Sequence, residues 1–370
     1  METSKCLTSI QPLNYDMFTG MDTDKRSIMM GMYDQSEKIQ TKTIPYNPES
    51  LVKYFQNNYA GKRIAFVYEA GPTGYGLYDT LTKAGYDCLV VSPASVPKEP
   101  AARVKTNRID SEKLAMTLRG GQIRGIRVPS EPYRRLRDLT HLRDTLVKNS
   151  TATKCRIKAL LLLKGLPFPD VSTTNDWSNT VIDHLKRNET YKDIRFELDQ
   201  QLEILSFTHR KILDVQCETR KFCKSDRDIS ESMEYMTSIP GIGRITASEI
   251  LARIGDWRNL RNCREIGAFL GLVPCEHSTG EDVQRGNITR MGHDRTRNML
   301  IEASWAAIRK DGELREFYKR VYATHPRAQE AKKAIVAVAR KLTARIYVVL
   351  KNRRKYEIRN KVPVGLNRRA

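Results

Sequence analysis

Apolar and polar residues alternate in short runs over the first third of the chain, then shift to spacings of three and four. Ser27 to Tyr33 and Lys38 to Ile44 read as strands, preceded by a strand ending near Asp22 and a turn at Asp24–Lys25. Pro48 to Tyr59 reads as a helix. Arg63 to Glu69 is a buried strand that ends on a carboxylate. Tyr75 to Ala84 is a helix, Cys88 to Val91 another buried strand, and Arg108 to Leu118 a helix. Met1 to Met17 has no periodicity and reads as a loose arm.

Beyond residue 130 the pattern is helical. Pro132 to Leu163 carries leucines at 136, 139, 142 and 146, then Ile157, Leu160 and Leu161, and Gly165 and Pro167 stop it. A second helix from about Asp193 to Cys223 places Leu198, Leu202, Leu205, His209, Ile212, Gln216, Thr219 and Cys223 on one seam. Heptad spacing of this kind predicts an antiparallel coiled-coil arm, with the polar members setting register. Phe168 to Trp177 reads as a turn-rich insertion between them. Arg264 to Leu270, Glu302 to Lys310 and Arg327 to Lys351 follow as helices. In the last, Ile335, Val338, Leu342, Ile346 and Val349 form a core-facing stripe.

Charge narrows the class. The 370 residues carry a net charge of +21, with 64 Lys and Arg against 43 Asp and Glu. A chain so basic is suited to a polyanion, and nucleic acid is the first candidate. No apolar run approaches the length of a membrane span, and the first twenty residues lack the apolar core of a signal peptide. Seven scattered cysteines form no CxxC pair, which argues against a zinc ribbon or redox motif and fits a reduced, cytoplasmic setting. Arg134, Arg135, Arg137, Arg143, Lys148, Lys154, Arg156 and Lys158 give the first long helix a basic face that either follows a phosphate backbone or is simply solvated.

Three acids sit where chemistry is expected. Asp22 ends the first strand, Glu69 the fourth, and Asp110 opens a helix. Three antiparallel strands followed by alternating helix and strand is the order of an RNase H-like α/β domain, in which such positions converge on one edge of the sheet. Clustered carboxylates are tolerated chiefly when they hold divalent cations. Farther along, Ser238-Ile-Pro-Gly-Ile-Gly243 reads as a helix–hairpin–helix, with Gly241, Gly243 and Arg244 offering amides and charge to a phosphate. Ser278 and Thr279 stand beside Gly280, and Arg285, Arg290, His293, Arg295 and Arg297 follow. A hydroxyl next to a small residue can approach a phosphodiester closely, with arginines offsetting the charge that develops.

The segments GMDTDK, VYEAGPTGYGLYDTL and RVKTNRIDSEKLA resemble the DEDD (RuvC-like) catalytic domain of bridge-RNA-guided insertion-sequence transposases and Piv-type DNA invertases. PGIGRITASEILARIGD, FLGLVPCEHSTG and RGNITRMG resemble the C-terminal serine transposase domain of the same family. The resemblance implies Asp22, Glu69 and Asp110 as metal ligands for Mg²⁺, with Asn107 where the family has Asp. Asp24 and Glu112 are the nearby acids that could compensate for the missing charge. It implies Ser278 as the nucleophile, with Thr279 as the alternative, and places Arg290 where a Lys is common and Arg297 on the usual downstream arginine.

The resulting expectation is α/β plus α. It comprises an arm (1–19), a RuvC-like DEDD domain (20–128), a coiled-coil region (129–230), a helix–hairpin–helix serine transposase domain (231–352) and a basic tail (353–370) that orders only on nucleic acid. The resemblance further implies strand exchange on donor and target DNA, a structured non-coding guide RNA, a homodimer or tetramer, no membrane association, and a place at the prokaryotic nucleoid. Two other readings stay open: a metal-dependent junction-resolving nuclease, and an inactive nucleic-acid-binding relative.

Overall fold

The computed structural model describes residues 7–96, 106–169, 177–276, 284–289, 292–323 and 330–358. The chain divides into two compact units, Met1–Val128 and Pro129–Ala370.

The first unit is built on five strands, β1 (Met17–Thr23), β2 (Ser27–Tyr33), β3 (Lys38–Pro45), β4 (Ile64–Glu69) and β5 (Asp87–Val91), in the order β3-β2-β1-β4-β5. β1 to β3 run as an antiparallel meander, and β4 and β5 add parallel to β1. That mixed order is compatible with the nuclease-like sheet expected from the sequence. Both faces are covered, which is why the central strands read as unbroken apolar runs. Met17, Met21, Phe66, Tyr68, Cys88 and Val90 face α1 (Pro48–Asn58) and α2 (Gly76–Lys83). Phe18, Ala65, Val67, Leu89 and Val91 face α3 (Asn107–Arg119) through Leu114 and Leu118. The arm is not loose over its described part. Leu7, Ile10 and Tyr15 pack against the α3 side, and the Tyr15 hydroxyl donates to Asp87 at 2.7 Å.

The second unit is helical apart from one small hairpin. α4 (Glu131–Leu163) and α6 (Arg195–Ser225) lie against each other. They run antiparallel: Tyr133 and Leu136 share a core with Cys223, Ser150 meets His209, and Ile157 and Leu161 pack with Leu198 and Leu202. The expected seam is buried at Leu198, Leu202, Leu205 and Cys223. Midway, Thr208 and Val215 take the buried places while His209, Ile212, Gln216 and Thr219 are only half-buried. A helix of 3.6 residues per turn drifts against a heptad repeat unless it supercoils.

The remaining elements are α5 (Asn179–Arg187), α7 (Arg227–Thr237), α8 (Arg244–Ile254), α9 (Cys263–Phe269), β6 (Pro274–Glu276), β7 (Arg285–Ile288), α10 (Asp294–Lys310), α11 (Gly312–Ala323) and α12 (Glu330–Lys351). The stripe on α12 is buried as patterned, with Ile335, Val338, Leu342, Ile346 and Val349 each no more than 3% exposed. α10 starts eight residues before the expected helix, because its polar first turns are held by tertiary bonds and not by an apolar stripe. The basic tail also departs from expectation. The Tyr356 N–H donates to Ser238 Oγ at 2.7 Å and its hydroxyl to Asp311 at 2.8 Å, with Arg345 stacked over the ring, so the described part of the tail is anchored to the core. Among the described residues no helix is long and apolar enough to cross a membrane.

Candidate active site

Strand register positions the acids. Met21 of β1 lies opposite Tyr68 of the parallel strand β4, so the next residues, Asp22 and Glu69, stand level at the carboxyl ends of neighbouring strands. Side chains alternate along a strand, which puts Asp22 on the same face as Gly20 and Phe18. That face carries α3. A Cβ on Gly20 would lie 2.2 Å from the Ser111 carbonyl oxygen and 2.4 Å from the Ala115 nitrogen, so only glycine lets the helix settle onto β1. Phe18 packs with Leu114 and Leu118 while Gly20 meets Ser111 and Ala115, so α3 runs back against β1. Its first turn, bearing Asn107 and Asp110, is thereby carried toward the level of Asp22. Thr106 caps that turn by accepting from the Ile109 N–H at 3.3 Å. Asp22, Glu69 and Asp110 are half-buried and Asn107 is exposed.

Hard oxygen donors in such an arrangement suit Mg²⁺. Among the described residues, however, no three His, Cys, Asp or Glu side chains gather closely enough to hold a metal ion. The arrangement is a level pair, Asp22 and Glu69, with Asp110 on the helix facing their side of the sheet.

Neither acid that could stand in for the missing charge at Asn107 is available. Asp24 caps its own turn, accepting from the Arg26 and Ser27 N–H groups and the Ser27 hydroxyl, which hold its carboxyl below the usual range. Glu112 accepts from Lys38 at 2.6 Å, Thr41 at 2.9 Å and Arg108 at 2.9 Å. Burial pushes its pKa up, but those donors outweigh it and bring the carboxyl down to about 2. Glu112 is a clamp tying α3 to β3.

In the second unit Ser278, Thr279 and Arg290 lie outside the described residues. The strands flanking the hydroxyl segment are described, and β6 pairs antiparallel with β7, Pro274 opposite Ile288 and Glu276 opposite Arg285. Gly292 follows at φ +89°, where a Cβ would sit 2.1 Å from the Phe269 carbonyl oxygen. His293, next in the chain, leans on Phe269 and lies beside Arg253, Arg137, Glu249 and Asp294. Burial first, then the two arginines, lower its pKa and favour the neutral imidazole.

Arg297, expected at a phosphate, is only 7% exposed and donates to the Leu270 carbonyl oxygen at 3.1 Å. It ties α10 to the end of α9 and is not open to a ligand. Gly241 has a structural task as well. At φ +88° it approaches α10 so closely that a Cβ would meet the Ala303 carbonyl oxygen at 2.2 Å. Gly243 and Arg244 are different, because they are exposed, and a Cβ on Gly243 would meet nothing within 4 Å.

Sequence reasoning missed a buried charged cluster near His293. Glu249, 1% exposed, accepts from Arg253 at 2.9 Å and from the Thr296 hydroxyl at 3.1 Å. Arg295 pairs with Asp144 at 2.5 Å, and Arg137 donates to the Ala252 and Arg253 carbonyls. The available signal was one acid set inside Ala247–Ala252, a stretch of α8 that is buried throughout.

Comparison with known proteins agrees with this division. Residues 19–164 match a DEDD-type family model described as a transposase, and residues 233–319 match the model described as the transposase IS116/IS110/IS902 family. The chain carries two transposase-family domains. It is 32% identical to "Putative transposase y4qE" of Sinorhizobium fredii over 66% of this chain, an alignment that spans 58% of that relative's length. It is 24% identical to the transposase for insertion sequence element IS1533 of Leptospira borgpetersenii, over 78% of this chain and 84% of the relative. A pilin gene-inverting protein of Moraxella bovis is 26% identical over 36% of this chain and 41% of the relative. The first transposase-family domain contains the level acid pair and continues into α4. The second contains the β6–β7 hairpin and the first turns of α10, where the hydroxyl segment is rooted.

Proposed function

We propose that the chain is an insertion-sequence recombinase that cuts and rejoins DNA, its acid pair and its hydroxyl segment acting on one phosphodiester. The observation that carries this is the register of β1 and β4, which sets Asp22 and Glu69 level on one face, inside a chain whose two matched domains are both of transposase families. Asp22, Glu69 and Asp110, with the Asn107 carbonyl oxygen, would hold Mg²⁺. When bound, the ion supplies charge stabilisation to the phosphate oxygens. The Ser278 Oγ attacks phosphorus, an O–P bond to the deoxyribose oxygen breaks, and the departing strand leaves as its alcohol once protonated. The serine proton needs an acceptor, and His293, kept neutral by burial, is the candidate base beside the segment. The SIPGIG turn acts as a helix–hairpin–helix, with the amides of the α8 first turn and Arg244 on a phosphate. A structured non-coding RNA selects donor and target, and the helix pair serves a dimer or tetramer in which acids and hydroxyl come from different copies.

Suicide DNA substrates test the nucleophile. Wild type and Thr279→Ala form a covalent protein–DNA adduct, and Ser278→Ala forms none; adducts surviving in Ser278→Ala and lost in Thr279→Ala would move the bond by one residue. A second reading, a metal-dependent nuclease with a merely structural hydroxyl segment, draws on the acid pair being complete within the first unit. It predicts free ends and no adduct from any variant.

A further inference from the structure

The second unit contains a groove of about 1450 Å³ between the α4–α6 pair and helices α8 and α10. Its position explains why the apolar seam fails midway. Thr140, Arg143, Gln216 and Thr219 line the groove and do not pack against each other as core.

Two of its features are unsatisfied. Glu249 commits Oε1 to Arg253 and Thr296, while Oε2, inaccessible to solvent, has no hydrogen-bond donor. Arg143, whose guanidinium feels the Glu249 charge, has a buried Nε–H with no acceptor. Buried polar atoms are nearly always paired, and each orphan costs about 1–3 kcal/mol. A lone acceptor beside a lone donor is the complement of a nucleobase edge, which sets an amino or imino N–H next to a ring nitrogen or carbonyl oxygen. In a duplex those edges are already paired. Only an unpaired base can present them.

The rest of the groove fits a nucleotide. Gly243 leaves the first turn of α8 without a side-chain cap, whereas Ser178, Asp226 and Asn262 cap α5, α7 and α9. Open space lies above it, and uncapped first-turn N–H groups receive phosphate. Ile245, 38% exposed, and Met299 add apolar surface to the lining that a base can cover.

We propose that this groove is a subsite for one unpaired nucleotide, its phosphate on the first turn of α8 and its base edge bridging Arg143 and Glu249. The inference rests on the nucleic-acid reading above and adds a base pocket to it.

The test scans 2-aminopurine through single-stranded DNA and RNA oligonucleotides of one sequence, with the full chain added to saturation. The expected result is a several-fold fluorescence rise at one position, absent from the duplex. Response in the DNA arm assigns the nucleotide to the recombining strand, and response in the RNA arm to a guide. Arg143→Gln should remove most of the plateau signal at saturation, and Arg143→Lys should restore part of it. A purely electrostatic role would move the affinity and leave the plateau. Glu249→Gln, with folding checked by circular dichroism, should likewise lower the plateau; Arg143 variants keep the test decisive if it misfolds. Binding without any responsive position, or a plateau unchanged in folded Arg143 and Glu249 variants, overturns the base pocket alone. Failure to bind any nucleic acid overturns the functional reading along with it.

Discussion

The two units place reactive groups by different means. In the first, a parallel register does the work: once β1 and β4 pair, Asp22 and Glu69 must stand level, and Gly20 seats α3 over the same face. In the second, position depends on side chains far apart in sequence, such as Glu249 holding Thr296 and Arg295 holding Asp144. Backbone-determined sites tolerate change in neighbouring side chains but not in the backbone. Side-chain-determined sites should fail one hydrogen bond at a time.

The largest expected effect falls on the register-determined pair. Asp22→Ala should cut strand exchange about a thousandfold or more, read by a recombination assay, while thermal melting shows an intact fold. Next is the close approach beneath α3. Gly20→Ala should cost more than about 4 kcal/mol and unfold the first unit in urea titration. In the second unit Gly241→Ala should be severe and Gly243→Ala mild, because only Gly241 has positive φ and backbone 2.2 Å from its would-be Cβ. Equal cost at the two positions would erase the distinction.

Glu112→Gln tests the clamp and should cost roughly 2 kcal/mol at neutral pH. The folded carboxyl, at about 2, lies below its unfolded value, so the stabilisation is full above the unfolded value near 4.3 and is lost as pH falls toward 2. The difference between wild type and variant should therefore shrink over that window. Asn107→Asp adds a charge at the end of α3 and should tighten Mg²⁺ about tenfold by calorimetry, close to 1.4 kcal/mol. The smallest effect belongs to His293. Its folded pKa is lowered, so the unfolded state binds more protons and stability falls as pH drops below about 6.5. His293→Gln should flatten that part of the stability profile, with His209, lowered in the same sense by burial and Lys154, supplying the remainder.

Strands with period-two patterning and apolar runs announced the first unit, its strand order and the end positions of Asp22 and Glu69. The stripe on α12 was legible for the same reason, being a simple period buried on one side. The groove was not, because Gln216 and Thr219 look like weak members of a seam until α8 and α10 are seen across from them. Glu249 and Arg297 were misjudged or missed because burial of a charged group depends on partners at distances of 27 and 47 residues along the chain. α5 and α11 escaped notice because each is short and follows a turn, with too few repeats to set a period.

The adduct on a suicide DNA substrate, measured with and without Mg²⁺ for wild type, Asp22→Ala and Ser278→Ala, bears most directly on the joint action of acids and hydroxyl. A band that needs Ser278, Asp22 and the cation together is the predicted result. Adduct at wild-type yield from Asp22→Ala, or in the absence of any divalent cation, would contradict it.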